Sequence, residues 1–253
     1  MTGIVLAAMT PAQEQAWNVL LDLSVRFPSG WCLVGGQMVW LLAAEHGTEP
    51  LRATDDVDLV VDIRSEPGGI RRLCQWLEGQ GFGLEGINPE GIGHRYVRTA
   101  DPGPGKIIFD ILAPDKVGSR ADLSTTQGAR TLEAPGTRKA IDSSQRIEVM
   151  LNNRNGAVLR PTLVAAIILK ATTTTIPARP NTDRDFTDSA FLLTLISDPI
   201  AVSETLTKSD RAGLQPIKAL LNADHPAWRP LRDRARLGQA ALDFMIGPDN
   251  RPR

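Results

Sequence analysis

The chain has 253 residues, which is enough for one large domain or two modest ones around a substantial core, and we expect two. Its 28 lysine and arginine residues nearly balance 29 aspartate and glutamate residues, so no global basic field attracts nucleic acid. Aromatic residues make up only 5% of the chain, which argues against a base-stacking surface for single-stranded nucleic acid. Any contact with RNA therefore has to come from a local basic patch.

Two cysteines, Cys32 and Cys74, each lie within an apolar segment, which is typical of buried free thiols in a reducing compartment. No stretch approaches the roughly 18 apolar residues of a membrane span. The short apolar run at the N-terminus is not preceded by basic residues. These features predict a cytoplasmic protein that does not associate with a membrane.

The first 80 residues predict helices and strands separated by glycine-rich turns. The segment 10–26 is predicted to be a helix, because Thr10 is a favourable N-cap residue and Pro11 suits the first helical position. Buried strands are predicted over 31–34 and 57–63, and helices over 37–45 and 69–80.

The pattern changes twice along the remainder of the chain. The short runs HRYVRT, KIIFDIL and RIEVML predict further strands of a mixed sheet, whereas the polar, turn-rich interval 113–144 predicts no element. Four helical segments follow, which contain TLVAAIILKA, DRDFTDSAFLLTLI, SDRAGLQPIKALLN and WRPLRDRARLGQAALDFM. We therefore predict an α+β (mixed α/β) protein, with a small mixed sheet in a domain over 1–155 and a helical domain over 156–253.

Two acidic residues on the strand after the second predicted helix indicate a metal site. Successive side chains of a strand point to opposite faces, so Asp56 and Asp58 share one face while Val57, Leu59 and Val61 fill the other. Magnesium prefers such oxygen ligands and is typically held by one or two carboxylates plus substrate phosphates. A pair of such ions catalyses in-line displacement of pyrophosphate.

A third carboxylate, Asp110, lies in the otherwise apolar strand KIIFDIL. A charged carboxylate in that setting costs several kcal/mol unless it is paired or bound to metal. A single acid on a strand often only ends or caps the strand, but the three together favour a site for two Mg²⁺ ions, with Mn²⁺ as a substitute.

Gly35 and Gly36 lie where the first predicted strand becomes a helix. A glycine pair at this position lets the backbone approach a ligand, and the N-terminus of the following helix offers N–H groups and a positive dipole end to phosphate. A tight turn is the simpler explanation of the pair alone, but the acids downstream favour a phosphate site.

Gly-Gly, a helix, and then Asp-x-Asp on the next strand resembles the signature of the DNA polymerase β-like nucleotidyltransferase superfamily. The segments VGGQMVWLL, ATDDVDLVV, FDIL, LRPTLVAAIILKA and RPNTDRDFTDSAFLL together resemble the AbiEii and MenT group of toxin nucleotidyltransferases. The resemblance covers about residues 30–195. It implies a polymerase β-like N-terminal domain followed by a helical C-terminal domain.

The resemblance also implies roles for individual residues. Gly35 and Gly36 match the phosphate-binding turn, and Asp56, Asp58 and Asp110 match the three metal ligands.

Three further residues match the motifs of the group. Lys170 matches a helix lysine that contacts the triphosphate, Asp185 matches an acidic catalytic residue, and Thr54 matches a hydroxyl beside the acidic motif. The residues themselves leave alternatives open. A lysine ending an apolar helix often extends its ammonium to water, and Asp185 and Asp188 are also suited to a helix cap or to an ion pair with Arg179 or Arg184.

The activity implied is transfer of a nucleoside monophosphate from a nucleoside triphosphate (NTP) to a hydroxyl, most specifically at the 3′ end of a tRNA. The group's members are translation-blocking toxins, which implies a cognate antitoxin as partner.

Two features of the sequence depart from the pattern of the family. Nineteen residues separate Gly36 from Asp56, so the loop HGTEPLRA is interpreted as an insertion at the rim of the site, and Gly36 replaces the serine of many superfamily members.

Other functions are compatible with the same residues. An enzyme that modifies a small molecule such as an aminoglycoside, or a protein hydroxyl, keeps the chemistry and changes the acceptor. A regulatory module binds NTP without turnover. A metal-dependent nuclease explains the carboxylates but not the glycine pair or Lys170. A tRNA enzyme needs a basic surface, and the candidates are C-terminal: Lys208, Arg211, Lys218, Arg229, Arg232, Arg234 and Arg236.

Overall fold

The computed structural model describes residues 3–7, 9–177 and 182–247. Its strands are β1 (Ile4–Val5), β2 (Trp31–Val34), β3 (Asp56–Val61), β4 (Gly83–Leu84), β5 (Arg95–Thr99), β6 (Lys106–Pro114), β7 (Glu133–Ala134), β8 (Ser144–Leu151) and β9 (Arg154–Pro161). Its α-helices are α1 (Pro11–Arg26), α2 (Gly35–Glu45), α3 (Gly69–Gly79), α4 (Thr137–Asp142), α5 (Leu163–Thr173), α6 (Thr182–Leu193), α7 (Pro199–Thr205), α8 (Lys208–Leu214) and α9 (Ala235–Ile246). Two 3₁₀ helices span Gln215–Leu221 and Pro226–Arg234.

A mixed six-stranded sheet forms the centre of the N-terminal part. Its strands follow the order β2-β3-β6-β5-β4, and β7 pairs with β6. Strand β3 runs antiparallel to β2 and parallel to β6, which places Asp58 directly beside Asp110. The α+β class and the mixed sheet predicted from the sequence are therefore confirmed.

A second sheet of three strands, β1-β8-β9, packs beside the first through β9 and β2. The hairpin of β8 and β9 pairs Ser144 with Pro161 at one end and Leu151 with Arg154 at the other. Residue 155 lies inside β9, so the predicted domain boundary falls within a strand of this hairpin. The division at that residue stays a prediction.

Helix α1 begins as its sequence predicts. The Thr10 hydroxyl accepts a hydrogen bond from the Gln13 amide, and the Gln13 side chain accepts one from the Thr10 amide, so the two residues form a capping box. Helix α2 starts at Gly35, two residues earlier than predicted, because Val34 remains extended and Gly35 turns the chain directly into the helix.

The interval 113–144 contains regular structure, which its local pattern does not predict. Strand β6 continues through Pro114, β7 pairs with its end, and α4 follows Gly136. Helix α4 is anchored by the Thr137 hydroxyl, which donates to the Ala113 and Ala134 carbonyls. These elements depend on pairing with a distant strand, so turn-rich composition hides them.

The C-terminal part is helical, as predicted. Helix α5 is buried over Ala165–Ala171, and α6 packs against both α5 and α9. Prolines divide the last two predicted helices: Pro216 lies at the start of one 3₁₀ helix and Pro230 inside the other. Among the described residues, no helix is long and apolar enough to cross a membrane.

Candidate functional site

The three predicted carboxylates lie on one face of the central sheet. Asp56 and Asp58 are two residues apart on β3, and Asp110 is the in-register neighbour of Asp58 on β6. Asp110 is only 6% exposed, whereas Asp56 and Asp58 are half-buried. Burial raises the pKa of Asp56, and the neighbouring Asp110 and Asp55 charges add to that rise against the opposing effect of Arg95.

Arg95 binds two of these carboxylates and was not predicted from the sequence. It lies opposite Asp110 in the register of β5 with β6. Its Nε and Nη2 atoms donate to the two Asp110 oxygens at 2.8 and 2.7 Å, and Nη2 lies 3.4 Å from Asp56 Oδ2. Hydrogen bonding to Asp110 raises the pKa of Arg95, so the guanidinium keeps its charge. The sequence shows an arginine in a predicted strand next to the strand that carries Asp110, but only the register of the two strands shows that the two side chains meet.

The glycine pair lies against the acidic strand. Gly35 has a left-handed φ of 66°, and a β-carbon built there would collide with the Asp58 carboxylate. A β-carbon at Gly36 would collide with the Thr54 hydroxyl. The pair therefore lets the start of α2 approach Asp58 and Thr54 closely, and any side chain at either position would prevent this approach.

A buried amide network holds the segment that carries Thr54. The Gln37 side chain donates to the Thr54 carbonyl at 2.8 Å and accepts from the Trp17 indole at 3.0 Å. The Gln13 side chain donates to the same carbonyl at 3.0 Å. Gln37 is only 2% exposed and follows the glycine pair directly, so one helix start positions both the turn and the acidic segment.

Lys170 lies in a buried cluster of charges between α5 and α6. Its Nζ is 2.8 Å from Asp188 Oδ2 and 3.6 Å from Asp185 Oδ1, and the lysine is only 4% exposed. Arg52 Nη2 lies 2.9 Å from Asp188 on the other side. Lys170 therefore meets carboxylates instead of extending its ammonium to water.

Asp188 is the central acid of this cluster. Burial raises its pKa, but the attraction of Lys170 and Arg52 is stronger and holds the pKa below its ordinary value. Among the described residues its partners are these two cations, and Arg179, an alternative partner predicted from the sequence, lies outside the described residues. Arg52 belongs to the loop that the sequence indicated as an insertion at the rim.

Two cavities open at this site. A polar cavity of 400 Å³ is bordered by the glycine pair, the acidic segment and three cations: Gly35, Gly36, Arg52, Ala53, Thr54, Asp55, Asp56, Asp58, Lys170, Arg184 and Asp185. A largely apolar cavity of 560 Å³ shares Gly35, Asp58 and Lys170 with it. The structure thus brings seven of the eight predicted site residues to one cavity, and Asp110 lies beside them under Arg95.

The donor chemistry fits magnesium at two carboxylates. Asp56 and Asp58 are hard oxygen ligands on the wall of a polar cavity that also holds cations for phosphate, which is the usual magnesium arrangement in phosphoryl-transfer sites. In the part of the chain that the structure describes, no three acidic, histidine or cysteine side chains form a metal-binding group. Asp110, the third predicted ligand, lies beside them and accepts two hydrogen bonds from Arg95.

The basic residues predicted to form a surface in the C-terminal part fall into two groups, those bound to other residues of the helical part and those that are exposed. Arg234 donates to the Thr48 and Thr194 hydroxyls and lies over the Phe191 ring, and Arg211 donates to Ser203 and to a main-chain carbonyl, so both stabilise the helical part. The exposed members are Lys208, Lys218, Arg229, Arg232 and Arg236.

Comparison with known proteins supports the fold. No protein-family model matches the chain, and no curated protein matches it significantly. A nucleotidyltransferase-like antigenic protein from Paracoccidioides brasiliensis has a similar structure, with a TM-score of 0.55 and 15% identity over 95% of this chain and 96% of that one. The Helicobacter pylori protein JHP933 aligns over 95% of this chain and 94% of its own, with 9% identity and a TM-score of 0.48. The chain therefore has a nucleotidyltransferase-like fold.

Proposed function

We propose that this protein is a metal-dependent nucleotidyltransferase that moves a nucleoside monophosphate from an NTP to an acceptor hydroxyl. The observation that carries the proposal is the polar cavity, where Gly35 and Gly36 meet Asp56, Asp58 and Lys170. A turn suited to phosphate, hard oxygen ligands and cations in one concave site are what in-line phosphoryl transfer requires. The nucleotidyltransferase-like fold agrees with this chemistry.

Each group of residues has a role in the proposed reaction. The acceptor oxygen forms a bond to the α-phosphorus while the bond from the α-phosphorus to the bridging oxygen of pyrophosphate breaks. The N–H groups after Gly35 and the ammonium of Lys170 bind the triphosphate, and Asp185 orients Lys170 from 3.6 Å away. Bound Mg²⁺, or Mn²⁺ in its place, would be held by Asp56 and Asp58, and it supplies charge stabilisation to the oxygens of the leaving pyrophosphate.

Asp110 is the proposed acceptor of the hydroxyl proton and the third metal ligand. Both of its oxygens bind Arg95, but an ionised carboxylate has about four lone-pair sites, so capacity remains for a second partner. Arg95 thereby sets how much negative charge Asp110 offers to the reaction.

The acceptor that we propose is the 3′ end of a tRNA, with the protein acting in the cytoplasm as a translation-blocking toxin under the control of an antitoxin. The resemblance to the AbiEii and MenT group is the main support. The exposed C-terminal cations, such as Arg229 and Arg236, provide a surface for phosphates. A small-molecule or protein acceptor is the alternative within the same chemistry.

The test is incubation of the protein with magnesium and each α-labelled NTP, in parallel with total RNA, total protein and a cationic aminoglycoside. We expect label in tRNA-sized RNA, with one preferred base, and loss of that label in Asp56→Asn. Asp142→Asn is the matched control and should keep wild-type labelling, because Asp142 is exposed and its ion pair among the described residues is with Arg138, away from the cavity. Label in none of the acceptors would contradict the proposal.

A non-catalytic NTP-binding module is the second candidate, because one observation favours it. Arg95 neutralises Asp110 at 2.7 Å, and an acid neutralised in this way is a poor metal ligand. Such a module would bind NTP without releasing pyrophosphate, so the same incubation distinguishes it.

A further inference from the structure

The apolar cavity continues directly from the polar cavity. The two meet at Gly35, Asp58 and Lys170, which border both. A ligand whose phosphates lie in the polar cavity can therefore extend its remaining part into the apolar cavity. The volume of 560 Å³ lies within the usual range for small-molecule sites.

Three apolar residues from separate parts of the chain form the wall of the apolar cavity. Leu112 lies two residues after Asp110 and continues the same face of β6. Leu132 comes directly before β7, and Ile176 lies just after the end of α5. All three are only half-buried. Apolar area left in water costs roughly 25 cal/mol per Å², so covering this wall with a flat apolar ligand is favourable.

Beyond the shared Asp58 and Lys170, the polar groups that border this cavity are mostly uncharged. The Thr173 and Thr175 hydroxyls donate to main-chain carbonyls of their own turn, so their oxygens remain acceptors. His94 is half-buried on the wall. Among the described residues, the acids that border the cavity are the shared Asp58 and Glu133, and Glu133 already accepts a hydrogen bond from the Lys116 main-chain N–H.

This chemistry selects among the classes of ligand. A polycationic drug needs several carboxylates to replace its hydration, and the wall offers apolar surface instead. A nucleobase is flat, uncharged and largely apolar on its faces, with a few hydrogen-bonding edges, and so it fits a wall of leucines with isolated hydroxyl and imidazole groups.

We propose that the apolar cavity binds the base and ribose of the NTP, while the polar cavity binds its triphosphate. The assignment rests on the proposed function, and it names the part of the substrate that the second cavity recognises. The base preference is then set by the wall around Leu132 and His94 rather than by the acidic site.

The experiment compares two ligands on two matched variants. Leu132→Trp fills the cavity, whereas Leu159→Trp adds the same ring at a half-buried position of β9 outside both cavities. Binding of an NTP and of inorganic tripolyphosphate is measured by calorimetry in the presence of Ca²⁺. We expect Leu132→Trp to weaken NTP binding by about tenfold or more through steric overlap and to leave tripolyphosphate binding unchanged. Leu159→Trp should bind both ligands as the wild-type protein does.

Each outcome bears on the assignment. Normal NTP binding by Leu132→Trp would overturn the assignment of the apolar cavity but not the proposed function. If this variant bound NTP normally and yet no longer transferred a nucleotide to RNA, the apolar cavity would belong to the acceptor. A wild-type protein that binds neither ligand would overturn the proposed function together with the assignment. Ile176→Trp, just after the end of α5, replaces Leu132→Trp if thermal melting shows that the latter does not fold.

Discussion

The site has two walls that pair acids with cations in opposite ways. On the sheet, Asp56 is half-exposed and lies 3.4 Å from Arg95 Nη2, and burial raises its pKa. Between the helices, Asp188 is 3% exposed and binds both Lys170 and Arg52, which lower its pKa. A carboxylate whose charged form is disfavoured is suited to take up a cationic ligand, and one whose charges are already matched is suited to hold structure. We call Asp56 and Asp58, the proposed metal ligands, the working wall, and we call Asp188 with its two cationic partners the supporting wall; Lys170 borders the cavity and belongs to both in the proposed function.

The largest expected effect is on activity at the working wall. Asp56→Asn removes a proposed magnesium ligand, and we expect nucleotidyl transfer to fall by at least about a hundredfold. The free energy of unfolding should change by less than about 1 kcal/mol, because Asp56 is half-exposed and solvent screens its charge. Transfer assays and urea denaturation measure the two effects, and a large loss of stability would contradict the separation of the walls.

The second effect is on stability at the supporting wall. Asp188→Asn leaves Lys170 and Arg52 buried or half-buried without their shared countercharge, so we expect a loss of about 3 kcal/mol in the free energy of unfolding. Urea denaturation followed by circular dichroism measures it. Asp142→Asn is the surface control and should change stability by less than about 0.5 kcal/mol. Equal stability of both variants would show that the buried cluster does not support the fold.

Replacing Arg95 tests whether this arginine competes with magnesium for the carboxylates of the sheet. Arg95→Gln removes the cation that competes for Asp110 and Asp56, so we expect magnesium to bind about tenfold more tightly. The measurement is the rise in melting temperature as magnesium is added to the wild-type protein and the variant. Arg98→Gln, on the same strand, is the control. A weaker response to magnesium in Arg95→Gln would mean that Arg95 organises the carboxylates rather than competing for them.

The smallest effect is on pH dependence. The folded-state pKa of Asp188 is lower than its ordinary value of 3.8, so its contribution to stability is complete above pH 3.8 and is lost as pH falls through the lower folded-state value. The wild-type protein should therefore lose stability more steeply than Asp188→Asn in this acidic range. Unfolding curves at a series of pH values measure the slopes, and parallel slopes would contradict the lowered pKa.

The working wall could largely be predicted from the sequence. The alternation of Asp56 and Asp58 with apolar residues fixes a shared face, and the Gly35–Gly36 pair lies where a strand meets a helix. These are local patterns with periods that a single segment reveals. The collision of a β-carbon at Gly35 with Asp58 gives the physical reason for that glycine.

The supporting wall could not be predicted in the same way. Arg52 and Asp188 are 136 residues apart in the chain, and only the tertiary fold brings the loop that carries Arg52 against α6. Arg95 meets Asp110 through strand register, and Gln37 meets Thr54 through the turn of α2. Interactions of this kind have no local period, so the sequence indicates the residue types without their partners.

The most direct test of the central claim is the release of pyrophosphate by the protein supplied with magnesium, a mixture of the four NTPs and total RNA. We predict sustained release by the wild-type protein and by Asp142→Asn, and none above background by Asp56→Asn. Tight NTP binding by a wild-type protein that releases no pyrophosphate would contradict the claim. It would identify the working wall as part of a module that binds nucleotides without catalysis.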